Sequence, residues 1–162
     1  MGIALLLHRP IWLRGFWRGV FFLPSIFPVV AGSFLWIWLF NGEHGLLNGM
    51  LAWLDLGPVP WLTRPRWAKP SLVFMSLWGI GGGMVIFLAS LQSVPKVLYE
   101  VSELDGANAF QRFRHITIPM ISPTLLFVLV MGVIGSFQVF TQAFLMTSGG
   151  PLDSTLFYAL YL

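Results

Sequence analysis

Apolar residues in this chain come in long uncharged blocks. Residues 19–42, 70–95 and 116–152 carry no Asp, Glu, Lys or Arg. A helix needs about 20 apolar residues to cross the hydrocarbon core of a bilayer, so each block has room for one crossing. The pattern predicts spans over residues 17–39, 70–92 and 123–146. The remainders of the blocks (Asn41, Gly42; Ser148, Gly149, Gly150, Pro151) are polar or turn-forming. At the start, the six apolar residues 2–7 precede His8, Arg9 and Pro10, which reverses the charge-then-apolar order of a signal peptide and is too short to cross. This stub reads as the tail of a further helix. At the other end Ser154 or Thr155 is expected to cap a helix that begins at Leu156. The expected fold class is all-α: a polytopic membrane protein with three complete spans and a truncated helix at each end, an internal piece of a longer chain.

Composition strengthens that reading. Of 162 residues 57% are hydrophobic and 15 are charged (nine Lys/Arg plus six Asp/Glu), against roughly 25% charge in a soluble domain. Too few charges are present to clothe a water-facing surface. The net charge of +3 is spread in twos and threes between the blocks, which excludes a nucleic-acid patch. With no cysteine, thiol-based metal and redox chemistry is excluded. Basic residues set the orientation: Arg9, Arg14, Arg18, Lys96, Arg112 and Arg114 flank the first span's start and fill the third loop, while the loop between spans one and two holds Arg64, Arg66 and Lys69. By the positive-inside rule residues 8–18 and 95–119 face the cytoplasm and residues 41–69 face outward. Trp36, Trp38, Trp53, Trp61 and Trp67 fall around that outer loop, as an interfacial belt would. Within it Leu46, Leu47, Met50, Leu51 and Leu54 share a helical face, which predicts a short helix along the membrane surface.

The cytoplasmic loop reads as two short helices joined at a glycine. Pro95 suits a first helical position. Val94, Val97, Leu98, Val101 and Leu104 form an apolar stripe, with Lys96, Glu100 and Glu103 off it. Gly106 can adopt the left-handed conformation that ends a helix. Phe110 and Phe113 mark the second helix, beside Arg112 and Arg114. Two readings fit: a solvated loop with an interfacial helix, or a knob for a groove on a soluble partner.

The spacing then matters. Glu100, Val101 and Ser102, then Gly106, then Ile116, Thr117, Ile118 and Pro119 resemble the cytoplasmic signature of the membrane subunits of binding-protein-dependent ABC importers, where Glu-Ala-Ala is followed at fixed distances by Gly and Ile-x-Leu-Pro. Asp105, Gly106 and Ala107 match the triplet usual in the carbohydrate branch. Val101, Ser102 and Ile118 depart from the pattern by small or apolar exchanges. The segments Phe21 to Pro28, Trp38 to Asn48, Pro60 to Thr63, Ile86 to Gln92 and Gly149 to Pro151 also look like that branch, so the likeness covers nearly the whole chain.

The resemblance implies a type I ABC importer transmembrane-domain fold, here partial, with the end of helix two, helices three to five and the first turns of helix six. It implies a permease subunit in a bacterial inner membrane, paired with a second permease as a heterodimer. It also implies two ATPase subunits that bind ATP and Mg, and an external solute-binding protein that delivers sugar. Glu100, Ser102, Asp105, Gly106, Ala107, Phe110 and Arg112 would meet the ATPase. A polyol or glycerol-phosphate importer is the variant within the family. A receptor-like or structural membrane protein whose loop docks another cytoplasmic partner is the rival outside it.

No catalytic or cofactor site is expected in the chain itself. Lys69 and Lys96 lack the glycine-rich lead-in and following Ser/Thr of a phosphate loop. His8 and His115 lie on one side and His44 on the other, so they form no metal site. The three blocks carry no charged groups for a membrane enzyme. They do carry small and polar residues. Gly79, Gly81, Gly82 and Gly83 cluster in span two, where Gly79 and Gly83 have the spacing that lets helices approach. In span three Gly132, Gly135, Ser136 and Val139 share a face, with Gln138 beside it. Helix packing is one reading of both groups. The other is a translocation path for a hydroxyl-rich substrate, which needs uncharged hydrogen-bond partners. Pro24 and Pro28 are expected to kink span one.

Overall fold

The computed structural model describes residues 1–8 and 12–162; Arg9 and Pro10, assigned above to a cytoplasmic segment, lie outside the described residues. All regular elements among the described residues are helical. In chain order they are α1 (Gly2–His8), α2 (Arg14–Ile26), α3 (Val29–Leu39), α4 (Leu46–Trp53), α5 (Pro65–Trp78), α6 (Gly81–Ser93), α7 (Lys96–Leu104), α8 (Ala109–Arg112), a π-turn (Phe113–Thr117), α9 (Ile118–Phe137), α10 (Thr141–Thr147) and α11 (Tyr158–Tyr161). The chain forms two compact units, Met1–Ser25 with Ile80–Val133, and Ile26–Gly79 with Ile134–Leu162.

Each expected span is interrupted. Residues 17–39 fall on α2 and α3, which part at Phe27 and Pro28. Pro24 stays inside α2, whereas Pro28 stands just before α3 with extended backbone (φ −57°, ψ 134°). A proline drives its predecessor out of the helical region and lacks the N–H that would continue the ladder, so the expected kink becomes a break. Residues 70–92 fall on α5, which already begins at Pro65, and on α6; Gly79 closes the former. Residues 123–146 were expected to be continuous, but α9 ends at Phe137, where the Gln138 N–H folds back to Gly135 O (3.1 Å), and α10 starts anew at Thr141. Gly132 and Gly135 each weaken a helix by about 1 kcal/mol relative to Ala, which favours a break there. Among the described residues Ala109–Phe137 is the continuous helical stretch long and apolar enough to cross a bilayer, and the pairs α2/α3 and α5/α6 would each add one if read as a broken span.

In the first unit α1 lies along α6. Ala4 and Leu7 pack with Met84, Phe87, Leu88, Leu91, Val94 and, from α9, Ile121. Thr124 Oγ1 donates to Ser90 Oγ (2.9 Å), a polar link between α9 and α6 in an otherwise apolar seam. At Gly81 the backbones of α6 and α2 touch: a Cβ there would meet Phe21 O and stand 2.8 Å from Phe22 Cα. Gly81→Ala is therefore expected to lower stability by about 1–3 kcal/mol through overpacking. Nothing lies within 4 Å of a Cβ at Gly82 or Gly83, and alanine at either is expected to stay within about 0.5 kcal/mol of the parent. Thermal unfolding of the three variants in detergent checks both statements.

The second unit is built on aromatic residues. Trp36, Phe40, Leu72, Met75 and Met146 are buried together, with Trp61 and Trp78 against them. Trp36 meets Phe74 edge-on (5.5 Å, 87°), the arrangement preferred by ring quadrupoles. This core draws in part of the supposed interfacial belt: Trp36 is buried and Trp61 and Trp67 are half-buried, leaving Trp38 and Trp53 to face outward. Asn48 fixes Trp61 in place. Its Oδ1 accepts from Trp61 Nε1–H (2.9 Å) and Val59 N–H (3.1 Å), and its Nδ2 donates to Gly42 O (2.9 Å) and Val59 O (3.1 Å). The 41–69 loop is thus wound around one buried amide. Helix α4 has the expected location, with Leu46, Met50 and Leu54 exposed on the side away from Asn48.

The tail differs from expectation. Neither Ser154 nor Thr155 caps a helix; Phe157 precedes α11. Thr155 is fully buried, donates to Gly150 O (2.8 Å) and lies 2.6 Å from Thr147 Oγ1, so its hydroxyl closes the loop after α10 instead.

Candidate functional site

The 95–119 loop folds from local rules. Pro95 stands at the cap of α7, not in its first turn. The stripe leaves the core: Val94 is buried, but Val97, Leu98, Val101 and Leu104 are exposed, Leu104 by 88%. The helix ends in a Schellman motif, with Gly106 N–H donating to Glu103 O (3.0 Å) and Ala107 N–H to Ser102 O (2.9 Å). Gly106 has φ +77°, which side chains other than glycine adopt at a cost. Asn108 then opens α8 with a capping box: its Oδ1 accepts from Gln111 N–H (2.9 Å), and Gln111 Oε1 accepts from Asn108 N–H (2.8 Å). Glu103 and Arg112 form an ion pair that ties α7 to α8. Between them lies an open hollow of about 410 Å³, lined by Ser102, Asp105, Ala107, Arg112 and His115 among others.

The turn into α9 is wide. Ile118 N–H donates to Phe113 O, five residues back, where an α-helix would reach four. Pro119 explains it, since its ring would clash with the carbonyl of His115 in a regular helix and it has no N–H to offer. Thr117, buried in this turn, shares a hydrogen bond with the Tyr99 hydroxyl (2.9 Å).

The residues singled out from sequence divide as follows. Glu100 and Asp105 point exposed carboxylates outward with no ion-pair partner among the described residues, and Phe110 is 67% exposed. Gly106 supplies the bend and Ala107 lines the hollow. Ser102 turns back, donating to Tyr99 O (2.8 Å), and Arg112 is engaged by Glu103. Among path candidates, Gly132, Gly135, Ser136 and Gln138 are exposed, and a Cβ at either glycine would meet nothing within 4 Å. Val139 is half-buried beyond the end of α9, so it does not continue the helical face of Gly132 and Gly135. The close approach expected of Gly79 and Gly83 is absent: a Cβ at Gly79 meets Ser76 O of its own helix at 3.7 Å, one at Gly83 meets nothing, and contact occurs at Gly81. Sequence reading did not foresee the Glu103–Arg112 pair, the Tyr99–Thr117 bond or the capping box. The Asn108-x-x-Gln111 spacing could have revealed the last; the others depend on pairings across the bend that no local pattern encodes.

Residues 1–161 match the family described as "Binding-protein-dependent transport system inner membrane component". The chain is 38% identical over 164 residues to the probable ABC transporter permease protein YesP of Bacillus subtilis (strain 168), covering 99% of this chain and 53% of that protein. It is 35% identical over 165 residues to the lactose transport system permease protein LacF of Rhizobium radiobacter, covering 99% and 55%. Among solved structures, a chain of a bacterial alginate ABC transporter in complex with an alginate pentasaccharide-bound periplasmic protein superimposes with a TM-score of 0.83 at 28% identity, over 94% of this chain and 54% of that one. The chain spans about half the length of these relatives.

Proposed function

Since the chain belongs to the binding-protein-dependent transport system inner membrane components and has the type I ABC importer transmembrane fold, we propose that it serves as a multi-pass permease subunit of an ATP-driven sugar importer. Two relatives carry a carbohydrate in their descriptions, lactose and alginate, and the exposed small and polar residues Gly132, Gly135, Ser136 and Gln138 suit a hydroxyl-rich solute that is passed on without tight binding. Gly79, Gly82, Gly83 and Val139 complete the proposed path. The permease works with a second permease, two ATPase subunits that hold ATP and Mg, and an external binding protein.

The observation that carries the coupling role is the 95–119 loop: a helix whose apolar stripe and carboxylates face away from the core, bent at a left-handed glycine into a second helix that exposes Phe110. Such a knob fits a groove on a soluble partner. Val97, Val101, Leu104 and Phe110 bury against the ATPase, Glu100 and Asp105 bond its donors, and Ser102, Gly106, Ala107 and Arg112 hold the shape. Closure of the ATPases moves the knob, and the path changes the side to which it opens. The test is reconstitution of the complete permease with its ATPases in vesicles. Sugar-loaded binding protein on the outside is expected to stimulate ATP hydrolysis and labelled-sugar uptake together; an assembly that retains no ATPase through this chain would remove the reading.

A further inference from the structure

Helix α7 has two working sides. Val97, Val101 and Leu104 are exposed on one, while Tyr99 lies half-buried against the α1–α6 core on the other. The Tyr99 hydroxyl ends at Thr117, which is 5% exposed, at 2.9 Å. The Glu103–Arg112 pair joins α7 to α8 but stops short of α9. The bond to Thr117 instead crosses directly from α7 to the π-turn that leads into α9. A π-turn holds one residue more than a helical turn, and passing that residue on rotates everything beyond it by about 100°. Polar groups in so apolar a setting meet little competition from water.

We propose that Tyr99 and Thr117 are positioning residues of the transport cycle: their hydrogen bond, seated on the π-turn 113–117, delivers displacement of the docking loop to α9 and so to the face bearing Gly132 and Gly135. This rests on the coupling role proposed above. The bond makes α7 and the start of α9 move as one piece, and the wide turn is the place where that movement becomes rotation.

The experiment uses the complete permease in its full assembly, reconstituted in vesicles, with Tyr99→Phe, Thr117→Val, the double variant and Thr117→Ser. Phenylalanine keeps the ring in the core and valine keeps the shape of threonine, so each removes little besides the hydroxyl. ATPase co-purification is expected to stay within about twofold of the parent in all four, while sugar taken up per ATP hydrolysed falls about tenfold in both single variants, near the upper limit for one hydrogen bond. The double variant is expected to fall no further, since both singles remove the same bond, and Thr117→Ser is expected to retain uptake. Parental uptake per ATP in the double variant overturns the proposal. Loss of ATPase association overturns it as well, because the bond then merely shapes the docking loop. Failure of the coupling reading shows separately, in an unmodified assembly that holds no ATPase, and removes both.

Discussion

Gly106→Val is expected to leave the protein inserted in the membrane and to reduce ATPase co-purification by a factor of ten or more. The backbone at Gly106 has φ +77°, and a Cβ there would meet nothing within 4 Å, so the penalty comes from conformation and not from crowding. A left-handed conformation costs an ordinary residue roughly 1–2 kcal/mol, and a β-branched one more. The loop escapes that cost by abandoning the Schellman motif, which mis-aims α8 and Phe110. Gly106→Asn serves as the control, because asparagine tolerates the left-handed region and retains docking. The paired change Glu100→Ala with Asp105→Ala acts by a different route, through loss of charge-assisted bonds of about 1.5–3 kcal/mol each. Since 1.4 kcal/mol is tenfold in an equilibrium constant, that variant too is expected to bind at least about tenfold more weakly. Sugar-stimulated ATP hydrolysis and pull-down of the ATPase report on both; undiminished coupled transport in the two variants would refute the docking role of this loop.

Leucine at Gly135 or Ser136 is expected to cut sugar uptake by about 10- to 200-fold while ATPase association persists, the range over which a misfit in a binding passage discriminates. The most apolar stretch of the helical segment ending in α9 is only 6% buried, and the Cβ position at Gly135 is open, so a side chain added at Gly135 has little to disturb within the chain itself. The loss is expected to grow with the size of the sugar. Uptake that is unchanged at Gly135→Leu and Ser136→Leu would assign this face to lipid or to helix packing. Loss of assembly without any dependence on the substrate would likewise favour packing.

Much of the 95–119 loop was legible because its determinants are local. An apolar stripe at helical spacing and a glycine at its end each act within a few residues and were read as such, and the Asn-x-x-Gln box that opens the second helix is equally local although it was not read. The spans were legible as apolar blocks but not as broken helices. Hydropathy is blind to backbone geometry, so Pro28, Gly79 and the Gly135–Gln138 turn interrupt blocks that look uniform on a polarity scale. Tryptophan position misled for a related reason: Trp36 and Trp61 have the spacing of a membrane belt but the environment of a core, Trp36 through packing with Phe40, Leu72, Met75 and Met146, and Trp61 through its bond to Asn48 thirteen residues before it. Gly81 could not be told from its neighbours Gly82 and Gly83, because which of three adjacent glycines meets another helix depends on rotation about the helix axis.

Asn48 also bears on how the protein ages. It is followed by Gly49, the pairing most prone to spontaneous deamidation, which requires the glycine nitrogen to attack the side-chain carbonyl carbon. Here that nitrogen is held in α4 by a hydrogen bond to Gly45 O (3.0 Å), and the amide is fixed by the two loop strands it joins. Folding thus protects chemically the same side chain that organises the 41–69 loop. Once the loop opens the protection ends: the attack expels ammonia, water opens the resulting imide to isoaspartate or aspartate, and either carboxylate brings lone pairs to the carbonyls of Gly42 and Val59 where a donor had been. A molecule damaged in this way is expected to close the 41–69 loop less readily, so hydrolysis at one bond prolongs an opening that would otherwise be transient.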